Sequence, residues 1–313
     1  MSGIVGVWNL NGAPVERALL ERLAATLAHR GPDVRGVWVD GPVGMAACLL
    51  RVTPESAREV QPVVQPGEAV CVFDGRLDNR DEILADTQSS AAITATSPDS
   101  ALVLAAYRQY GEKFVEHLNG DFALAVFDIR RRTLFLARDY LGIRPLYYAR
   151  AGDTFLFASE IKAILAYPDF PRVPNEEALA VFLAQGISQD ASGQTLFSGV
   201  YNLPPAHVLT VTPDKNFARR YWSFENVSSP AAKSPEEYAE GFRWHFERAV
   251  RRRTRSAYPV AVMVSGGLDS SSVFCMAETL RRATPGAVPP IFGVTLTYPQ
   301  ASPADESEFI AAI

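Results

Sequence analysis

Apolar and polar positions alternate differently in the two parts of this chain. Over the first two-thirds, short runs of β-branched and aromatic residues recur between Gly, Pro, Asn and Asp, the pattern of strands closed by turns. It predicts strands at Ile4–Leu10, Gly36–Val39, Val43–Leu50, Ala69–Phe73, Ala123–Asp128, Thr133–Ala137, Leu146–Ala149, Phe155–Ala158 and Val208–Val211. Helical spacing predicts Val15–Ala28, Arg80–Thr87, Ser100–Tyr110 and Glu176–Gln185. Asp99 stands at the start of the third helix, and Asn175, after Pro174, is predicted to cap the fourth. Many strands with few helices predict two stacked sheets covered by helices, an α+β sandwich of αββα layers, and residues 1–222 are assigned to it.

Residues 223–235 are rich in Ser, Pro and Ala and read as a linker, most clearly from Phe224 to Pro235. Beyond it the period changes. Pro235–Arg255 has the spacing of a long amphipathic helix ending in Arg251-Arg252-Arg253-Thr254-Arg255, where cations complement the helix dipole; a phosphate-binding role for one of these arginines is the alternative. Val260–Val264 reads as a buried strand, Ser270–Leu280 as a helix, Pro285–Pro290 as a loop and Ile291–Thr297 as a second strand, with Asp305-Glu306-Ser307 opening another helix. Strand, helix and strand form a βαβ unit, which implies a parallel, doubly wound α/β sheet over residues 236–313. Two strands do not cover both faces of such a sheet, so the domain is expected to be completed by further sequence or by another chain.

The join between the first strand and its helix carries chemistry. In Val264-Ser265-Gly266-Gly267-Leu268-Asp269-Ser270-Ser271 a sharp turn exposes the first amides of a helix, where its dipole is positive. Glycines let a phosphate approach, and Ser265, Ser270 and Ser271 add hydroxyl donors. Asp269 is placed to coordinate Mg2+. Val264 and Val294, at the carboxyl ends of the two strands, are candidates to line an adenine pocket, or else plain core. The segment resembles the pyrophosphate loop of the ATP pyrophosphatases and lacks the Gly-Lys-Ser/Thr of a Walker loop.

Composition narrows the field. A net charge of −5 gives no global field for nucleic acid. No apolar run reaches the ~20 residues of a membrane span, and Met1-Ser2-Gly3-Ile4-Val5-Gly6 has neither basic region nor cleavage site. Cys48, Cys71 and Cys275 show no metal spacing and read as buried thiols, which suits a cytoplasmic protein. His29, His117, His207 and His245 are too scattered for a zinc site.

Further motifs accumulate in order: His29-Arg30-Gly31-Pro32-Asp33, Arg51, Gln61-Pro62, Asp74-Gly75-Arg76-Leu77-Asp78-Asn79 after a strand, Leu118-Asn119-Gly120-Asp121, Arg138-Asp139-Tyr140-Leu141-Gly142-Ile143-Arg144-Pro145-Leu146 and Ala158-Ser159-Glu160-Ile161-Lys162-Ala163. Followed by Ser265–Ser271, they resemble the asparagine synthetase family over nearly the whole chain. The resemblance implies an N-terminal-nucleophile glutamine amidotransferase domain, whose nucleophile is a cysteine freed by removal of the initiator methionine, with its α-amine as base. It also implies an ATP pyrophosphatase domain that uses ATP and Mg2+ to activate a carboxylate for attack by ammonia.

The nucleophile position holds Ser2, a far weaker acid than a thiol. The family's Asn-Gly-Glu is Asp74-Gly75-Arg76, so an oxyanion donor has become an acid and an ammonium-binding glutamate has become a cation. Arg51 and Asp99, which the resemblance places on the carboxylate and ammonium of glutamine, are retained. The domain is therefore predicted to be a scaffold without glutaminase activity. It resembles β-lactam synthetases and lasso-peptide cyclases, where a substrate amine attacks the activated acid. The expected function is an ATP-dependent amide-forming ligase acting on a small-molecule or peptide carboxylate, without nucleic-acid or membrane partners and with a homodimer as an option. The alternatives are a glutamine-hydrolysing asparagine synthetase using Ser2, and a non-catalytic binding protein.

Overall fold

Alternation along each strand decides how the first part of the chain is layered. A computed structural model describes residues 1–87, 93–186, 193–228, 234–286, 288–298, 302 and 305–313. Two units are distinguished, Met1–Arg51 with Arg58–Val227, and Val52–Ala57 with Ser228–Ile313.

The larger unit runs in order through β1 (Gly3–Asn9), α1 (Arg17–Ala25), β2 (Val34–Asp40), β3 (Val43–Leu49), β4 (Val63–Gln65), β5 (Ala69–Leu77), α2 (Arg80–Asp86), α3 (Asp99–Tyr110), β6 (Gly120–Asp128), β7 (Thr133–Arg138), β8 (Tyr147–Ala151), β9 (Thr154–Ala158), α4 (Ile161–Leu165), α5 (Glu176–Gln185), β10 (Val200–Asn202), β11 (His207–Val211) and β12 (Asn216–Arg220). The strands form two antiparallel sheets, β10-β8-β9-β1-β3-β2 and β12-β11-β7-β6-β5-β4. One face of each meets the other: Ile4, Trp8, Met45, Leu49 and Phe157 pack on Val70, Val72, Ala125 and Leu136. The intervening residues Val5, Val7, Ala46 and Leu156 face α1 and α4. Cys71, Phe73, Leu124 and Val126 face α2 and α3. The result is the expected αββα sandwich. A one-residue slip of β1 would exchange Trp8 for Val7 in the central layer, and each buried aromatic contributes roughly 1.5–3 kcal/mol, so the register is strongly held.

In the smaller unit, α6 (Pro235–Arg253) is capped by Ser234 and ends in the predicted arginine run. β13 (Val260–Met263) and β14 (Ile291–Val294) pair in parallel around α7 (Leu268–Ala283), and α8 (Ser307–Ala311) follows. Val250, Ala277, Leu280 and Val288 form its core. Met263 and Phe292 remain exposed, as expected of a two-stranded parallel sheet. Val52–Ala57 belongs to this unit through hydrogen bonds: the Ala257 amide donates to the Val52 carbonyl at 2.8 Å, and Arg255 Nη1 meets Glu55 Oε2 at 2.6 Å.

Several expectations are corrected. Asp74-Gly75-Arg76 does not follow a strand but lies within β5, whose ladder with β6 continues to Leu77. The first helix is shorter than Val15–Ala28, because the Val15 amide bonds to the Gly41 carbonyl and the end unwinds into turns. The strand predicted at Ile291–Thr297 stops at Val294. The helix predicted from Ser270 begins at Leu268. Cys275 is exposed rather than buried, since it lies about 200° around α7 from Ala277, on the side away from the core. Part of the linker, residues 229–233, lies outside the described residues, as does Ala287 in the predicted Pro285–Pro290 loop; Phe224–Asn226 forms a single 3-10 turn.

Candidate functional site

In the smaller unit the turn between β13 and α7 is built for an anion. Gly266 has φ +76°, where a side chain is strained, and a Cβ there would lie 3.0 Å from that of Phe309. This turn brings Ser265 back over the helix start, where its amide and hydroxyl contact Ser270 Oγ at 3.0 and 3.1 Å. Gly267 stands at the N-cap of α7 and supplies no side-chain cap. Ser271 Oγ is buried without a hydrogen-bond partner, which is uncommon for a hydroxyl. Free amides, a helix dipole and an unpartnered hydroxyl suit a phosphate group. Val264 and Val294 sit side by side, the Val264 amide donating to the Val294 carbonyl at 2.8 Å; Val264 is buried and Val294 largely open. Asp269 is exposed in the first turn of α7. Among the described residues no group of three acidic, His or Cys side chains could enclose a metal ion, so Asp269 offers a single carboxylate to an ion arriving with phosphate.

In the larger unit the candidate site lies at one end of the layer between the sheets. Alternation within β5 puts Asp74 and Arg76 on the side of Val72, while Ser2 and Arg51 adjoin the ends of β1 and β3. Gly75 is required by packing, since a Cβ would fall 2.2 Å from the Asp121 carbonyl oxygen. Ser2 Oγ accepts from the Leu50 amide at 3.1 Å. Arg30 ties the site together: Nε donates to the Ser2 carbonyl at 2.7 Å, Nη2 to Asp74 Oδ2 at 2.9 Å and Nη1 to Glu160 Oε1 at 3.2 Å. Burial pushes the Asp74 carboxyl up, while Arg144 and Arg30 pull it back. Burial also lowers the Met1 α-amine, Asp74 opposing the shift and Arg144 and Arg30 adding to it.

The other positions that the resemblance assigns to a glutamine pocket have partners within the chain. Asp99 pairs with Arg80 and accepts the Leu77 amide at 2.8 Å. Arg80 also donates to the Ala95 and Ser97 carbonyls. Arg76 Nε meets Asp78 Oδ1 at 3.1 Å. Arg51 Nη2 donates to the Glu59 carbonyl at 2.6 Å. The Glu59 carboxyl is pushed up by burial, although Ser100 and Gln61 hydrogen-bond to it.

Arg30, Asp139, Arg144 and Glu160, from the sequence motifs at residues 29–33, 138–146 and 158–163, complete the cluster. Asp139 accepts the amides of Phe122, Leu141, Ile143 and Arg144, which fixes the loop carrying Arg144. The charge-rich spelling of those motifs was a signal; their partners, up to 130 residues away, were not visible.

Comparison with known proteins follows the same division. The family described as "Glutamine amidotransferase domain" matches residues 1–222, and that described as "Asparagine synthase" matches residues 241–313. Asparagine synthetase (glutamine-hydrolyzing) 3 of Bacillus subtilis is 34% identical over 88% of this chain and 45% of its own length. Amidase chry2 of Gibberella zeae is 35% identical over 83% of this chain and 39% of its own length. The chain thus spans less than half the length of these relatives. Among solved structures, a glutamine phosphoribosylpyrophosphate amidotransferase from B. subtilis, 17% identical, aligns over 97% of this chain and 68% of its own with a TM-score of 0.50, a likeness of fold.

Proposed function

The chain belongs to the asparagine synthetase family, and from that premise we propose that the protein is an ATP-dependent ligase that forms carbon–nitrogen bonds without drawing nitrogen from glutamine. In this reading a substrate carboxylate attacks the α-phosphorus of ATP, pyrophosphate leaves, and ammonia or a substrate amine displaces AMP from the acyl-adenylate. Amides at Gly266 and Gly267 and the hydroxyls of Ser265, Ser270 and Ser271 hold the phosphates, with Val264 and Val294 beside the base. Magnesium at Asp269 would offset charge on the departing pyrophosphate.

The observation that carries the reading is the open start of α7, with its left-handed Gly266, its missing side-chain cap and the unpartnered Ser271 hydroxyl. The withdrawal of glutamine is supported by the pairing of Asp99 with Arg80 and by Ser2 at the nucleophile position. A glutamine-hydrolysing reading, as in the relatives' names, is favoured by one observation, the hydroxyl of Ser2 at the nucleophile position, held by the Leu50 amide at 3.1 Å.

The test supplies ATP, magnesium and candidate carboxylates, with either glutamine or ammonia, and follows AMP, pyrophosphate and glutamate. Ammonia or an internal amine should support product and glutamine should not. Glutamate release coupled to product would overturn the exclusion of glutamine. Asp269→Ala should abolish ATP–pyrophosphate exchange while circular dichroism stays unchanged.

A further inference from the structure

Helix α1 buries one stripe and turns another toward a cleft. Leu20, Leu23 and Ala24 face the core, so Arg17, Glu21, Arg22 and Ala25 form a second stripe around the helix. Across from it stands β2, the end strand of its sheet, which contributes Arg35 and Val37. Alternation puts Arg35 on the same face as Val37 and Val39, which pack toward α1, and its ladder partner is Cys48. The cleft between helix and strand has a volume of about 670 Å³, in the range of small-molecule sites. Arg17 bridges it, Nη2 donating to the Val37 carbonyl at 3.3 Å.

The charge of the cleft is one-sided. Three guanidinium groups and one carboxylate line it, so two positive charges are in excess on a chain whose net charge is −5. The carboxylate, Glu21, pairs with Arg17 at 3.7 Å. Among the described residues the guanidinium groups of Arg22 and Arg35 make no hydrogen bond and no ion pair. Like charges gathered around one space repel, and an anion between them reverses the sign of that interaction.

We infer that the cleft between α1 and β2 binds a phosphorylated small molecule, its phosphate held by Arg22 and Arg35 with Arg17 beside them. A phosphomonoester carries close to two negative charges at neutral pH and three acceptor oxygens on one group, which matches the excess charge and the forked donors. A lone carboxylate brings only one charge. Ala25 and Val37 give an apolar wall for the organic part, and the volume leaves room for it. The site lies wholly within the larger unit and does not rest on the ligase reading.

The test is calorimetric titration of the whole protein with glycerol 3-phosphate, with inorganic phosphate and with acetate. Glycerol 3-phosphate should bind saturably with a dissociation constant below about 1 mM. Inorganic phosphate should bind no more tightly, and acetate at least about tenfold more weakly. Arg22→Gln and Arg35→Gln, both at exposed positions, should each weaken glycerol 3-phosphate binding about tenfold, as loss of a charged hydrogen bond does. The double variant should keep the parent's rate of ATP–pyrophosphate exchange, which separates this cleft from the turn before α7. The inference is overturned if glycerol 3-phosphate does not saturate by about 10 mM, if acetate binds as well, if inorganic phosphate binds more tightly, or if the folded double variant binds like the parent.

Discussion

Asp139 shows how one residue can set the position of another. Its buried carboxylate accepts three amides of the loop that presents Arg144 and ties that loop to the Phe122 amide in β6. Asp139→Ala would strand those donors, and equilibrium denaturation should show a loss of roughly 3–5 kcal/mol. Asp139→Asn keeps one acceptor and should lose less. Ser2 gives the opposite lesson. Ser2→Cys restores the stronger nucleophile but leaves Asp99 paired with Arg80, so glutamate release from glutamine should stay at background. Activity near that of a glutamine-hydrolysing relative would show that the thiol alone was missing. The sequence made the identities at positions 2, 74 and 76 legible, but not Arg30 and Arg80, whose partners are set by the fold.

The elements were legible where both faces of a strand are buried. Continuous apolar runs mark β1, β3, β6, β7 and β9 because their residues face a core on each side. The apolar pattern failed on β5 past Phe73, where the residues facing the inter-sheet layer become Asp and Arg although the ladder continues. It also missed β12, whose outer pairing is polar and exposed, and the three-residue strands β4 and β10. The cap of α5 is the one its sequence predicts: Asn175 Oδ1 accepts the Ala178 amide at 3.2 Å. This helix has no buried residue, so its local stability rests heavily on that cap. Asn175→Ala should cost about 1 kcal/mol, seen as faster amide exchange confined to α5. Gly266→Ala should cost about 1–2 kcal/mol through left-handed strain and should weaken ATP binding, which calorimetry would register.

For the molecule as a whole, αββα layering and the later βαβ unit were both readable from periodicity, because a change of period marks a change of architecture. Charge linkage was not. Burial raises the Glu160 carboxyl, but hydrogen bonds from Lys162, Arg30 and His29 outweigh it and hold the group below its ordinary value. A depressed carboxyl contributes stability above its unfolded value of about 4.3, and that contribution is lost as pH falls through the folded value. Glu160→Gln should therefore destabilise the protein at pH 7, and the difference should shrink below about pH 4 in denaturation midpoints.

Val52–Ala57 belongs to the unit that otherwise begins at Ser228, and Glu55 finds Arg255 two hundred residues downstream. On a ribosome adding about 5–20 residues per second, Glu55 emerges roughly 10–40 seconds before its partner exists. Throughout that interval the 3-10 turn Pro54–Arg58 lacks its contact with Arg255, while the domain around it has already begun to fold. Assembly of this protein is therefore a matter of waiting as well as packing, and a pause in translation before Arg255 would lengthen the time in which a chaperone or a protease can reach that loop.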